Sequence, residues 1–243
     1  MTKQLPRKAQ RLEKDDSFCF ACHPAIGCFT DCCRQLELAL TPYDVLRLKQ
    51  ACGLRSEVFL DRYVIVEQEP EESWPRFYLT MVDDGQASCV FVTKNGCNLY
   101  QDRPGACRAY PMGRAAMRQA DNSIDDYYVL LQENHCLGFQ EKQEQNVALY
   151  SREQGLSTYN RFNDAVAPIL QHEQIRQGKR FSARQREYFI LALYNLDQFR
   201  SLLLAGQLPG ALASDDDSSK ADLANDEALL LYGINWLTDI LFK

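Results

Sequence analysis

The sequence predicts a mainly α-helical protein with a small, irregular, cysteine-rich module of α+β structure in its N-terminal half. The first observation behind this class is that all ten cysteines lie between Cys19 and Cys136, so the chain divides by chemistry. The second is that, from Gln143 onward, apolar residues recur at the three- and four-residue intervals typical of helices. The third is that short β-favouring runs, separated by turn dipeptides, lie among the cysteines.

The composition is that of an ordinary folded protein, with 46% hydrophobic, 11% aromatic and 25% charged residues among 243. The formal net charge of -6 argues against nonspecific nucleic-acid binding, which depends on cationic side chains. A local basic patch is an alternative, and its candidates are Arg103, Arg108, Arg114 and Arg118. We therefore expect no nucleic-acid partner.

The order of these signals along the chain predicts three segments. They are a polar N-terminal extension at 1–18, a cysteine-cluster metal-binding module at 19–140 and a helical region at 141–243. A stretch rich in glycine, serine and aspartate indicates a flexible linker near 206–226. A last apolar helix through Leu229 and Leu237 is expected to dock back, and the alternative is an exposed helix that binds a protein partner.

Local signals predict the elements of the cysteine-rich part. Thr41-Pro42 fits an N-cap and first helical position, with the helix ending at Gly53 and a second short helix beginning at Ser56. The strand candidates are Phe77–Val82, Cys89–Val92 and Tyr127–Leu131, with Asp84-Gly85 and Asn95-Gly96 as turn signals between them. These strands are short, so they are expected to support a cluster of side chains.

The helical region contains its own start and stop signals. Gly155 and Pro168 predict interruptions. Ser182 is predicted to cap one long amphipathic helix whose apolar stripe runs from Tyr188 to Leu203 and faces a core.

The compartment follows from the absence of export signals. Met1 to Asp16 are polar and charged and lack the apolar core of a secretory signal. The most apolar stretch, Tyr188 to Ala205, is interrupted by polar and charged residues, so it is not expected to cross a bilayer. We therefore predict a cytoplasmic protein without a membrane partner. Because cytosolic thiols stay reduced, metal ligation is expected in place of disulfides.

The densest cysteine segment has the spacing Cys19-x2-Cys22-x5-Cys28-x3-Cys32-Cys33. The two-residue gap between Cys19 and Cys22 lets two thiolates reach one metal ion. Adjacent Cys32 and Cys33 would face opposite ways on extended backbone, so they are expected to serve two sites or two irons. The candidate ligands are Cys19, Cys22, Cys28, Cys32, Cys33, Cys89, Cys97, Cys107 and Cys136. Cys52 is set aside because it fits the apolar pattern of the first helix as a buried small residue.

These nine soft donors are enough for two four-cysteine sites. Thiolates select zinc, iron–sulfur clusters or copper(I) over calcium or magnesium. Count and spacing leave the metal open, although the paired cysteines favour an iron–sulfur cluster over zinc. His23 and His135 each lie beside a cysteine and would either replace a ligand or support one from outside the coordination shell. His172 fits a surface helix position.

Several of these motifs occur together in one known family. They are Cys28-x3-Cys32-Cys33-Arg34, Thr41-Pro42-Tyr43-Asp44, Cys89-Val90-Phe91-Val92, Gly96-Cys97-Asn98-Leu99-Tyr100, the segment Asp102 to Pro111, and Cys136 as final cysteine. Over about 19–140 the chain resembles the YkgJ-type cysteine-cluster family, also described as the CxxCxxCC zinc- or iron-chelating domain. It departs from the family in the five residues between Cys22 and Cys28 and in the additional Cys19, which leaves open whether Cys19 or Cys22 is a ligand.

The resemblance implies metal chelation and no settled reaction. The leading hypothesis is a protein in which an iron–sulfur cluster or zinc organises the fold and has a redox or electron-transfer role. The alternatives are a zinc-stapled interaction module without catalysis, and a metal-dependent transferase or hydrolase with Glu133, Asp125 or Asp126 as base. Arg34 and Arg108 directly follow candidate ligands and are predicted to tune the site.

Overall fold

The computed structural model describes residues 8–13, 15–119, 121, 123–210 and 223–243, of which 44% are helical and 20% are in strands. The helices of these residues are α1 Pro42–Ala51, α2 Ser56–Tyr63, α3 Gly105–Ala109, α4 Val147–Glu153, α5 Leu156–Leu170, α6 Glu173–Arg176, α7 Ala183–Leu193, α8 Leu196–Leu204 and α9 Asp226–Phe242. Short 3₁₀ turns lie at Asp31–Cys33, Tyr100–Asp102 and Leu137–Gln140. Among the described residues, no helix is both long and apolar enough to cross a bilayer.

Short strands accompany these helices. They are β1 Lys8–Leu12, β2 Ser17–Cys19, β3 Val64–Glu67, β4 Arg76–Leu79, β5 Met81–Val82, β6 Ser88–Cys89, β7 Val92–Thr93, β8 Gly96–Cys97, β9 Met112–Arg118, β10 Ile124–Gln132 and β11 Glu144–Asn146. They form one three-stranded sheet and four two-stranded sheets. The chain therefore combines helices with several small sheets, and nine of its ten cysteines lie in the N-terminal half.

The chain forms two compact units, each built from two separated segments. Unit 1 comprises Met1–Leu38 and Thr80–Asn160. Its main sheet is antiparallel with strand order β1-β10-β9, in register from Ile124 opposite Arg118 to Leu130 opposite Met112. The core of this unit consists of Leu12, Phe18, Phe20, Met112, Leu130, Val147, Tyr150 and Leu156. Strands β2 and β11 pair with each other and lead into this core through Phe18 and Phe20.

Unit 2 comprises Ala39–Leu79 and Arg161–Lys243. Helix α1 begins with a capping box in which the Thr41 hydroxyl accepts from the Asp44 N–H and the Asp44 carboxylate accepts from the Thr41 N–H at 2.8 Å. Tyr43 of α1 stacks on Phe162 of α5, with ring centroids 4.2 Å apart. These contacts join the two segments of unit 2 through one aromatic core.

Helix α9 docks within unit 2, as the sequence predicted. Leu229, Leu230 and Leu237 are fully buried. The indole N–H of Trp236 donates to the Pro209 carbonyl at 2.9 Å. A Cβ atom added at Gly233 would lie 2.6 Å from the Ala192 carbonyl oxygen, so α7 and α9 approach closely at a position that requires glycine. The apolar residues of α9 face this core. The structure therefore does not support the alternative in which this helix is exposed and binds a protein partner.

Several other boundaries are confirmed. Capping boxes start α1 at Thr41 and α7 at Ser182, and α2 begins at Ser56. Gly53 and Gly155 have positive φ angles of 64° and 65°, the left-handed conformation that ends a helix.

Two predictions about helix interruptions are wrong. Pro168 lies inside α5, which continues to Leu170. The lost N–H bond is offset by burial of Val166 and Ile169 on either side of the proline. The helix that starts at Ser182 does not run on to Leu203, because it ends at Leu193 and α8 starts at Leu196. The break lets the Ser56 hydroxyl accept from the N–H of Asp197 in the first turn of α8.

The limits of the two units differ from the three predicted segments, because residues 39–79 group with residues 161–243. Whether 1–18, 19–140 and 141–243 act as separate domains stays a prediction. Of the linker predicted near 206–226, residues 211–222 lie outside the described residues. Within the described part, Leu208 is buried and α9 already begins at Asp226.

Candidate metal centre

The nine predicted ligands all lie in unit 1, whereas Cys52 lies in unit 2. All ten cysteines are free thiols. Cys52 is the C-cap of α1 and is partly exposed, so it is less buried than the apolar pattern predicted. The folding of unit 1 therefore gathers thiols from two segments that are separated by more than forty residues of unit 2.

Four thiols form what we name the first thiol group: Cys22, Cys28, Cys32 and Cys136. Cys22 lies within Coulombic range of each of the other three, that is, close enough for a charge on any of those thiols to raise the pKa of Cys22. Cys136 lies within the same range of Cys28 and Cys32. This group joins the beginning of the cysteine-rich segment to its last cysteine.

A close backbone approach brings the two ends of the first thiol group together. The N–H of Ala21, next to Cys22, donates to the Gly138 carbonyl at 3.1 Å. The N–H of Leu137, next to Cys136, donates to Cys28 Sγ at 3.2 Å. This bond holds the Cys28 thiol against the backbone that carries Cys136.

The turn at Asp31–Cys33 changes the geometry expected for the adjacent cysteines. The prediction that Cys32 and Cys33 face opposite ways assumed extended backbone, and this premise is wrong because both lie in a 3₁₀ turn. Thr30 precedes the turn with a φ of 72°, in the left-handed region. The Cys32 thiol consequently contacts that of Cys33.

Cys89 and Cys97 form a second thiol group. They lie in β6 and β8, and their thiols are within Coulombic range of each other. An antiparallel bridge between Arg34 and Ser88 places their chain neighbours Cys33 and Cys89 side by side. The Cys32-Cys33 turn therefore lies next to both thiol groups.

The remaining two candidates occupy different surroundings. Cys19 is exposed on β2, on the opposite face of the strand from the buried Phe18. Cys107 is partly buried in the short helix α3. The described contacts assign neither residue to a thiol group.

Burial controls the protonation of these thiols. Burial first, and then the neighbouring Cys32 and Cys28, raise the pKa of Cys22 to about 11. Burial is also the leading cause of the raised pKa values of Cys89, Cys97 and Cys136. For Cys32 the contact with Cys33 comes first and burial second, and the pKa again rises. The metal-free thiols of these five cysteines are therefore protonated near neutral pH, and binding of a metal ion to them releases protons.

Three of the four arginines of the candidate basic patch, Arg103, Arg108 and Arg114, have partners within unit 1. Arg103 is only 8% exposed. Arg108 donates to the backbone carbonyls of Arg103, Gln154 and Gln101, which ties α3 to the end of α4. Arg114 is paired with Asp126 across the sheet at 2.7 Å. Arg108 thus has a structural role that accounts for its contacts without a thiolate.

Arg34 and Arg103 behave differently from Arg108. Arg34 donates to the Thr30 carbonyl at 2.9 Å and so braces the turn that carries Cys32 and Cys33. Arg103 lies within Coulombic range of Cys22 and Cys97, one thiol from each group. Sequence reasoning singled out Arg34 for its position after Cys33 but gave no role at the site to Arg103, which lies six residues after Cys97 and four before Cys107.

The histidines and carboxylates are arranged as follows. His23 and His135 are each about half exposed and face a carboxylate, Glu141 and Glu133 respectively, at 3.7 Å. His172, predicted as a surface helix residue, is the N-cap of α6, where its Nδ1 accepts from the Gln174 N–H at 3.2 Å. Asp126 is already paired with Arg114, so it is a poor candidate for a general base.

The donor set fits a soft metal in its chemistry. Clustered cysteine thiols with few competing oxygen donors select zinc, iron–sulfur or copper(I). As the side chains stand in the described residues, no three or more Cys, His, Asp or Glu side chains are already placed to hold one ion. Metal binding to the first thiol group would therefore draw thiols that are already neighbours into closer contact.

We expect Gly138→Ala to destabilise unit 1 by about 1–3 kcal/mol, the usual cost of overpacking a core. The added Cβ would lie 2.5 Å from the Phe20 ring and 2.6 Å from the Ala21 carbonyl oxygen. The two backbones that carry Cys22 and Cys136 would then have to separate. Thermal unfolding and metal content per chain measure the effect. Gly113→Ala is the control, since its Cβ would meet no atom closer than 4.0 Å, and equal stability of the two variants would contradict the close-approach argument.

Comparison with known proteins finds a family match for the cysteine-rich segment. The family model CxxCxxCC, described as "Putative zinc- or iron-chelating domain", matches residues 21–136. The match begins after Cys19 and ends at Cys136, so it contains both thiol groups. No curated protein and no solved structure matches the chain. Residues 21–136 are therefore similar to the CxxCxxCC zinc- or iron-chelating domain family, as the sequence motifs indicated.

Proposed function

We propose that this protein binds a transition metal through the cysteines of unit 1, and that the metal holds the two segments of that unit together. The observation that carries the proposal is the sorting of the thiols. Nine cysteines from two distant segments lie in one compact unit, and the tenth, Cys52, lies in the other. Thiols serving merely as small apolar residues would have no reason to be sorted in this way.

The ligand assignment that the geometry favours contains Cys22 and leaves out Cys19. Both cysteines are exposed, but Cys22 has three thiol neighbours, whereas Cys19 belongs to neither thiol group. The first thiol group supplies four donors, Cys22, Cys28, Cys32 and Cys136, which is the number that a tetrahedral ion requires. Cys33, Cys89, Cys97 and Cys107 are the further donors of the proposed site.

Serine variants test this assignment. We expect Cys22→Ser to lose most of the bound metal, because the first thiol group then has three thiol donors. Cys19→Ser and Cys52→Ser should keep the metal content of the unmodified protein, and they serve as matched controls for the loss of one thiol. Elemental analysis of each purified full-length variant gives metal per chain. Equal metal in Cys22→Ser and the two controls would refute the assignment, and a metal-free unmodified protein purified under anaerobic conditions would refute the proposed function.

The metal we favour is iron in an iron–sulfur cluster, with an electron-transfer role. Support comes from the contact between the adjacent thiols Cys32 and Cys33 and from the N–H of Leu137 on Cys28 Sγ, since donors to sulfur tune cluster potentials. A visible spectrum of anaerobically purified protein separates the choices. A brown colour that bleaches on reduction supports the cluster. Colourless protein with stoichiometric zinc would replace the electron-transfer role with a structural one.

A further inference from the structure

Arg103 carries a buried charge whose partners are all neutral. The residue is 8% exposed. Its guanidinium donates to the Tyr100 carbonyl at 2.6 Å and to the Gln154 side-chain oxygen at 2.5 Å, and it stacks over the Tyr100 ring at 3.8 Å. Within the part of the chain that the structure describes, no ion pair joins Arg103 to a carboxylate. An arginine cannot lose its proton, so it stays charged in this setting.

A buried charge is unfavourable unless an opposite charge compensates it. Other buried cations of this chain show the usual solution. Arg114, in the same unit, pairs with Asp126 at 2.7 Å, and Lys49 of unit 2 contacts two aspartates. Arg103 has carbonyl oxygens and an aromatic face, which solvate the guanidinium only in part. The anion that compensates the charge of Arg103 is therefore expected among the groups near it.

The nearby groups that can become anionic are thiols of the proposed site. Arg103 lies within Coulombic range of Cys22 of the first thiol group and Cys97 of the second. Metal binding converts these neutral thiols into thiolates. A divalent ion with four thiolates has two net negative charges, whereas one with two cysteines and two neutral histidines has none. Only the thiolate-rich centre supplies the charge that Arg103 lacks.

We propose that Arg103 is the counter-ion of a net-anionic metal centre with at least three thiolate ligands and that it faces both thiol groups. This inference rests on the proposed function and adds the net charge of the centre, which excludes a centre of two cysteines with both His23 and His135. Arg103 is a positioning residue, since it acts on the metal through the thiolates. Its guanidinium is held in place by Tyr100 and Gln154 before any metal arrives.

Zinc binding to full-length variants tests the proposal. The apparent zinc affinity is measured by competition with a chromophoric chelator for the unmodified protein, Arg103→Gln, Arg103→Lys and Arg114→Gln. Arg103→Gln should bind zinc at least tenfold more weakly, because the thiolates lose their counter-charge. Arg103→Lys should recover most of this loss, because it keeps the charge. Arg114→Gln is the matched control and should bind as the unmodified protein does.

Thermal unfolding of the metal-free variants distinguishes the proposed role from a structural one. A structural role predicts that Arg103→Gln and Arg103→Lys both lower stability without metal while zinc affinity is unchanged, and this result would overturn the proposal. Retained affinity in Arg103→Gln would overturn it as well. Failure of the unmodified protein and of Arg114→Gln to bind zinc or iron would instead refute the proposed function, on which this inference depends.

Discussion

Chelation of the metal should unfold unit 1 and leave unit 2 folded. Unit 1 depends on a small core, and four of its thiols lie on a 3₁₀ turn and on two-residue strands that are too short to be stable alone. Structural zinc in small domains contributes on the order of 10 kcal/mol, comparable with the whole stability of a typical domain. Unit 2 contains the longer helices α1, α7 and α9 with a fully buried leucine core, and no proposed ligand lies in it.

Two measurements follow the units separately. Hydrogen exchange before and after chelation, under reducing conditions, should show lost protection in residues 19–38 and 80–136 and unchanged protection in 39–79. Both tryptophans, Trp74 and Trp236, lie in unit 2, so fluorescence reports on that unit alone. We expect the emission to be unchanged by chelation. Full protection of unit 1 in the metal-free, reduced protein would contradict this prediction, because it would show that the core of unit 1 keeps it folded without metal.

Sequence signals that act within a few residues predicted the structure well. The capping residues Thr41 and Ser182 were identified because a cap bonds to a backbone N–H three residues away. The helix break at Asn195 was not predicted, because it depends on the contact of Asp197 with Ser56, which lies 141 residues away. The grouping of residues 39–79 with the C-terminal helices was missed for the same reason.

The candidate site divides in a similar way. Cysteine spacing identified the donors, because ligand chemistry follows from residue type. It could not choose between Cys19 and Cys22, because that difference depends on which of the two lies near Cys28, Cys32 and Cys136 in the folded unit. The roles of Gly138 and Arg103 were also hidden. A glycine required by a close approach and an arginine without a carboxylate are visible only once distant segments are in contact.

A buried ionic cluster in unit 2 gives the second large effect that we expect. Lys49 of α1 is 5% exposed and contacts Asp197 of α8 at 2.9 Å and Asp226 of α9 at 2.8 Å. Asp197 also accepts from the N–H and the hydroxyl of Ser56, each at 2.8 Å. Burial by itself would raise the pKa values of Asp197 and Asp226. The bonds from Lys49, together with those from Ser56 to Asp197 and from Arg200 and Gln50 to Asp226, outweigh burial and lower both pKa values. The cluster thus ties three helices together through ionised carboxylates.

Lys49→Met should destabilise unit 2 by about 3 kcal/mol at pH 7, because it leaves two buried carboxylates with Arg200 as their remaining cation. Lowered carboxyl pKa values stabilise the folded state above the unfolded pKa of about 4, and this contribution is lost as pH falls through the folded pKa. Without the amine the two pKa values rise, so the aspartates of the variant take up protons first. The stability deficit relative to the unmodified protein should therefore narrow as the pH falls from 7 to 4. Urea unfolding followed by tryptophan fluorescence measures the free energy of unfolding at each pH. Lys49→Arg is the charge-preserving control. A deficit that stays constant over this pH range would assign the loss to packing of the lysine stem instead of to its charge.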